Sequence, residues 1–300
     1  MIKRIFLALL AIVLAALALA WYTGWLFLGY YWMTTRITRS EPAMTGLGLS
    51  NYRVVIDALA VKGIPENASG LTYHPRRKSL FTVINRPPQV AELDTSGRLL
   101  RTIVLRGVSD VEGITHQNDD FFVITDEGSH QMFRIRIDDQ TREIDVSDSP
   151  RFGLAIDTAR NVGYEGVSWD HANQRLFLVK EKNPLRVFVI KGLWDLLSSS
   201  TFDLHVSEWQ PATFFGLMLS DLSSLTYHEP TGHLLLLSDE SRLLLEFDEA
   251  GHSRDMLILR AGWHGLKKTI PQAEGVAVGD NGEVFILSEP NLFYRFSPTP

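Results

Sequence analysis

A short motif returns five times along this chain, and its spacing constrains the fold more than any other feature. The segments are Ser69-Gly70-Leu71-Thr72, Glu112-Gly113-Ile114-Thr115, Glu165-Gly166-Val167-Ser168, Ser223-Ser224-Leu225-Thr226 and Glu274-Gly275-Val276-Ala277. Successive motifs stand 43, 53, 58 and 51 residues apart. Each opens a β-rich run, a second such run follows, and the second ends in polar residues. Units of this length with several strands each are the mark of a β-propeller. Equivalent positions of the blades then surround one axis, so a residue repeated in sequence becomes a ring in space.

The strand signals predict an all-β fold, a five-bladed β-propeller over residues 52–300. Six blades is the alternative, with the extra unit hidden in residues 138–160 or 190–220. Blades one and four read as four full strands. The fourth strand of blade two has no clear signal, and that of blade three is expected near residues 203–206. A helical look at residues 193–197 marks an insertion. Blade five lacks a fourth strand before the chain ends. The unassigned β-rich run at residues 52–59 can supply it, closing the circle and covering two sheet edges.

Residues 5–33 contain no charged side chain. That run of 29 residues exceeds the ~20 that span a bilayer as a helix. Residues 1–34 are therefore read as one transmembrane signal anchor, and 35–51, with Pro42, Gly46 and Gly48, as a linker. Lys3 and Arg4 favour a cytoplasmic N-terminus. Trp21, Tyr22, Trp25, Tyr30, Tyr31 and Trp32 form an aromatic cluster suited to the outer interface. This reading places a single-pass protein in a bacterial inner membrane with its body in the periplasm. The competing reading is a signal peptide cleaved at Ala18-Leu19-Ala20.

At 45% hydrophobic and 21% charged, the chain can build one large core. It has no cysteine, which excludes disulfide and thiolate chemistry. The net charge is −6; the first 40 residues contribute +4 through Lys3, Arg4, Arg36 and Arg39, which leaves −10 for the rest. An acidic body repels phosphates and argues against nucleic acid as a partner.

The propeller geometry turns that acidity into a candidate site. The start of strand one and the end of strand two lie on the same face of every blade. The inner set there is Asp110, Glu112, Glu165, Asp221 and Glu274. Residues two apart share a strand side, which pairs Asp110 with Glu112. The outer set adds Arg86, Glu127, Lys180, Glu181, Glu240 and Glu289. Converging carboxylates repel one another and raise their own pKa values. Protonation, a nearby Lys or Arg, or a bound cation relieves that repulsion. Calcium suits such an oxygen-only donor set, so the five inner acids are candidate metal ligands and the outer six a ligand-binding face. The plain alternative is that strand-start acids only accept bonds from neighbouring blades. His74, His116, His171 and His228 recur at the end of strand one and read as turn residues on the other face. His264, in the loop before the fifth motif, is expected on the acidic face, where it could act as a general base.

The strings AEGVAV at residues 273–278, LSEPNLFYRFSP at 287–298, KEKNP at 180–184 and LSDESR at 237–242 resemble the SdiA-regulated family of bacterial propellers. The resemblance covers roughly residues 52–298. It implies a membrane-associated β-propeller with no established activity, and it carries over no catalytic residue. Two functional readings follow. One is a binding or scaffold module whose acidic face takes a cation, a small ligand or an envelope protein. The other is a calcium-dependent hydrolase of esters, lactones or phosphates, by analogy with related propeller families.

Overall fold

The computed structural model describes residues 2–38, 46–154, 163–182, 184–194, 203–212 and 216–299. Among these, five sheets, antiparallel but for one outer pairing, form a ring. The innermost strands are Ala68–His74, Val111–Asn118, Tyr164–Asp170, Ser224–His228 and Ala273–Val278. Each contacts the next, and the fifth contacts the first, so the circle closes with five blades. Tyr52–Ala60 pairs with Leu292–Pro298 and completes blade five, as the sequence implies. The fourth strand of blade two, which had no clear signal, is the short Arg151–Gly153. Residues 138–150 form no sixth blade; Glu143–Asp145 runs parallel to the outer strand of blade one instead. The fourth strand of blade three is His205–Trp209. Residues 195–197 of the expected insertion helix lie outside the described residues, as does Asn183.

The core is divided into wedges. Five clusters of buried apolar side chains each fill the space between two neighbouring blades. Middle strands are therefore buried on both sides, and His233–Ser238 reads His-Leu-Leu-Leu-Leu-Ser with every residue buried. At about 25 cal/mol per Å² of apolar surface removed from water, these wedges supply the main attraction between blades. Hydroxyl groups add a directional element. The side-chain oxygen of Thr72 accepts from the His116 amide at 3.0 Å, that of Thr115 from the Trp169 amide at 3.1 Å, and that of Ser168 from the Tyr227 amide at 2.9 Å.

The motif glycine has a steric cause. A Cβ on Gly166 would lie 2.8 Å from the Leu225 nitrogen and 2.9 Å from the Ser224 Cα. A Cβ on Gly275 would lie 2.9 Å from the Gly70 carbonyl carbon. Inner strands approach most closely at this point, and a side chain there would force the blades apart.

The residue before that glycine sits in a β-bulge. In the pairing of strands one and two, Val111 faces Asp126 and Gly113 faces Thr125, so Glu112 is the extra residue. Glu165 and Glu274 occupy the same position in their blades. A bulge re-aims one side chain out of the strand's alternation. Here it turns the glutamates toward the central opening.

The apolar N-terminal run forms two helices rather than one. Helix α1 spans Ile2–Tyr22 and α2 spans Trp25–Thr38, separated by Thr23 and by Gly24 at φ +75°. Helix α1 is 21 residues long, uncharged beyond Lys3 and Arg4 and unburied, which is long enough and apolar enough to cross a membrane. Helix α2 instead docks on blade four. Phe27, Leu28 and Tyr31 are buried in the wedge between blades three and four, and the Tyr31 ring meets Phe247 edge-on at 6.1 Å. The Tyr31 hydroxyl accepts from the Met218 amide at 3.1 Å. Tyr31 is thus a packing residue of the propeller and not part of an interfacial aromatic cluster.

Candidate functional site

The bulged glutamates line a central cavity of about 530 Å³ at one mouth of the ring. Glu112, Glu165, Asp221 and Glu274 reach it from the inner strands, with Ser223 beside them. Glu181, Lys182, Asp239, Glu240, Arg242 and Glu289 reach it from the ends of the second strands. Carboxylates that lie up to 177 residues apart in the chain, Glu112 and Glu289, therefore share one opening.

Asp110, Glu112 and Glu127 come closest together. Each offers one carboxylate oxygen, and these three oxygens lie within 4.8 Å of one another. Glu112 Oε1 accepts from Asn85 Nδ2 at 2.7 Å, and Glu127 Oε1 accepts from the Gly163 amide at 2.9 Å. The Oδ1 of that same Asn85 is buried with no hydrogen-bond partner among the described residues. Arg86, largely exposed, stands 3.9 Å from Asp110.

The electrostatics divide the mouth into two sectors. In one, cations answer the acids. Lys182 Nζ lies 2.8 Å from both Glu181 and Glu240, and Arg242 pairs with Asp239. In the other, no ion pair among the described residues reaches Glu112, Glu165 or Glu274. Burial pushes Glu112 up to about 7, opposed by its bond from Asn85 and reinforced by Asp110 and Glu127. Burial likewise pushes Glu274 up to about 9, with Asp239, Glu112 and Glu289 adding repulsion. Glu165 rises well above the carboxylate range through burial and then through Glu112, Glu127 and Glu274. Burial also raises Glu127, Asp239 and Glu289. At neutral pH Glu274 therefore holds a proton unless a cation replaces it.

Asp221 is engaged differently. Its carboxylate accepts from the Ser238 hydroxyl, from the Glu240 amide at 3.0 Å and from the Asp239 amide at 3.2 Å. These bonds tie the start of strand one to the end of strand two within blade four. Burial still lifts it to about 6. Ser69 and Ser223, where the other motifs carry glutamate, reach across to neighbouring blades. The Ser69 hydroxyl donates to the Glu112 carbonyl at 2.9 Å and the Ser223 hydroxyl to the Ala273 carbonyl at 2.7 Å.

Two expected positions differ from the sequence reading. Lys180 is buried at 1% exposure and donates to the Lys182 carbonyl at 3.0 Å, so it does not line the mouth. His264 lies away from the acidic face. Its loop descends along the outer edge between blades four and five, where His264 Nδ1 meets the Tyr52 carbonyl at 3.0 Å. Asp239, not among the expected site residues, accepts from the Ala273 amide at 2.9 Å and faces the cavity. Its signal was available, since it precedes Glu240 at the end of a second strand. On the opposite face, His74 and His116 both set Nε2 against the Asp119 carbonyl, at 3.0 and 3.1 Å. Burial lowers both, His116 to about 3, so they stay neutral.

Several solved structures are similar to this chain. A luciferin-regenerating enzyme superposes with a TM-score of 0.51 at 13% identity, covering 81% of this chain and 95% of that one. A gluconolactonase from Xanthomonas campestris gives 0.49 at 14%, covering 78% and 72%. A streptogramin B lyase gives 0.47 at 10%, covering 84% and 99%. Identities this low speak to fold alone. The family model described as SdiA-regulated matches residues 45–297, and with it the chain belongs to the SdiA-regulated family.

Proposed function

We propose that this protein is a membrane-anchored binding module whose acidic mouth holds a divalent cation. Calcium fits the donor chemistry best. The observation that carries the reading is the convergence of Asp110, Glu112 and Glu127 within 4.8 Å, beside Glu165 and Glu274, which no ion pair among the described residues reaches. Calcium takes oxygen ligands at about 2.3–2.6 Å, so oxygens on opposite sides of one ion lie up to about 5 Å apart. The buried Asn85 Oδ1 supplies a further unpartnered oxygen beside Glu112. A bound ion would present its open positions to a small ligand or an envelope protein at the mouth, with the body on the periplasmic side of an inner membrane.

The test is a calcium titration of the full chain followed by thermal melting. At a hundredfold excess over the dissociation constant, binding adds about 2.7 kcal/mol. For a domain of this size that raises Tm by roughly 5–10 °C. Glu112→Gln together with Glu165→Gln should abolish the rise. An unchanged wild-type midpoint at millimolar calcium would sink the cation reading.

One observation favours a second reading, that of a hydrolase. A carboxyl held protonated at neutral pH, as Glu274 is, suits a general acid. The metal would then polarise an ester or phosphoester while a carboxylate acts on water. Turnover of an ester, lactone or phosphate panel that is lost in Glu274→Gln would favour it over the binding module.

A further inference from the structure

The two helices fix how the propeller sits against a bilayer. In blade four, Leu243 pairs with Ile258 at the acidic-mouth end, and Phe247 pairs with Ser253 at the other end. Helix α2 follows this blade from the mouth downward. Its first residue, Trp25, lies under Arg260 at 5.2 Å, and the Gly24 before it approaches the Glu240 and Ser241 carbonyls. Arg260 Nη2 donates to the Thr23 carbonyl at 2.6 Å and clamps the α1–α2 junction to the mouth rim. Tyr31, two turns on, reaches Phe247 near the far end of the blade. Helix α1 therefore joins the body at the rim of the acidic mouth. Residues 2–19 are all exposed, so α1 lies along no blade and leaves the body from that rim.

From this geometry we infer that the acidic mouth opens toward the bilayer surface, with the rim of blade four at the headgroup level. The inference rests on α1 being a membrane span. At about 1.5 Å per residue its 21 residues cover about 31 Å, which matches a hydrocarbon core of about 30 Å. Trp21, Tyr22 and Trp25 cluster at the junction and are 56%, 88% and 50% exposed. Exposed aromatic rings at the end of a span belong at the headgroup boundary. The docking of α2 fixes the junction on the body: Phe27, Leu28 and Tyr31 are buried against the blades, and Arg260 Nη2 holds the Thr23 carbonyl. A ligand of the acidic mouth then enters from the gap next to the membrane. Cations gathered by anionic headgroups are the species concentrated there.

The absence of cysteine makes the test clean. Ala261→Cys places a label on the exposed loop beside Arg260 at the mouth rim, and Ala172→Cys places one on the exposed turn of blade three at the opposite face. A blade strand of six or seven residues, about 3.3 Å each, separates these levels by roughly 20 Å. Each full-length variant carries a fluorophore and is reconstituted into vesicles of phosphatidylethanolamine and phosphatidylglycerol containing a headgroup spin-labelled lipid. Flotation with the vesicles and loss of most of the Ala261→Cys signal, with the Ala172→Cys signal retained, is the expected result. Flotation with equal quenching, or with stronger quenching at Ala172→Cys, overturns the orientation alone. Failure to float overturns the anchor and the orientation together. A calcium-dependent rise in Tm is read separately, so the cation reading stands or falls independently.

Discussion

Replacing Glu274 with glutamine should stabilise the protein at neutral pH, although it removes an acid from the candidate site. Burial pushes Glu274 up to about 9, against an ordinary value of 4.5. A raised acid value means that the native state binds a proton the unfolded state has released. Below pH 4.5 both states are protonated and Glu274 costs nothing. As pH rises from 4.5 toward 9, the native state must keep a proton that solution no longer supplies, and stability is lost at about 1.4 kcal/mol per pH unit. At pH 7 that penalty reaches about 3 kcal/mol. Repulsion shared with Asp239 and Glu112 spreads part of it over their own titrations, so about 1–3 kcal/mol falls to Glu274. Glutamine has the shape of the protonated acid and never ionises. Glu274→Gln should therefore melt roughly 3–10 °C higher than the wild type at pH 7.5 in a chelating buffer. The gap should close toward pH 4.5. Differential scanning calorimetry across that range reads both features. An equal or lower Tm for the variant at pH 7.5 would mean that Glu274 is ionised and already compensated, which refutes the picture of an uncompensated acidic sector.

Gly166→Ala should destabilise by about 1–3 kcal/mol in urea unfolding, because its Cβ meets backbone of the next blade at 2.8 Å; a neutral outcome would remove the steric reading of the motif. Asp221→Asn should cost about 1–3 kcal/mol, because an amide cannot accept from the Ser238 hydroxyl and both loop amides together. The same variant should keep its Tm response to calcium, since Asp221 is occupied within its own blade. Calcium binding at pH 7 should release protons, since Glu112 stands at about 7 and burial raises Glu165 as well. The observed enthalpy should then vary with the ionisation heat of the buffer, and affinity should climb from pH 6 to pH 8. An enthalpy independent of buffer would contradict the protonated sector.

The ring was legible because its cause is local and repeated. Gly113, Gly166 and Gly275 recur where inner strands nearly touch, so spacing and strand signals pointed to five blades, with six as the alternative. Closure by Tyr52–Ala60 followed from a blade that lacked a strand. The fourth strand of blade two was not legible, since Arg151–Gly153 has three residues and no alternation to read. The split of the apolar run was equally hidden. Helix α2 carries apolar and aromatic residues both on the side that meets the blades, as Phe27 and Tyr31, and on the side away from them, as Trp25 and Trp32, so only Thr23-Gly24 marks the break. In the site, sequence could place carboxylates at one mouth but not choose their partners. Asp110 and Asp221 hold the same motif position. One stands beside Glu112 and Glu127, while the other is capped by the amides of Asp239 and Glu240. Lys180 and Lys182 are two apart on a strand end, yet one turns inward and the other bridges Glu181 and Glu240. Such choices depend on backbone geometry at the bulges and loops, which residue identity leaves open.

Diffraction from crystals grown with millimolar calcium would locate the ion itself. The account predicts a density peak about 2.3–2.6 Å from carboxylate oxygens of Asp110, Glu112 and Glu127. A mouth that stays free of any ion under those conditions, with the three carboxylates splayed apart, would contradict it.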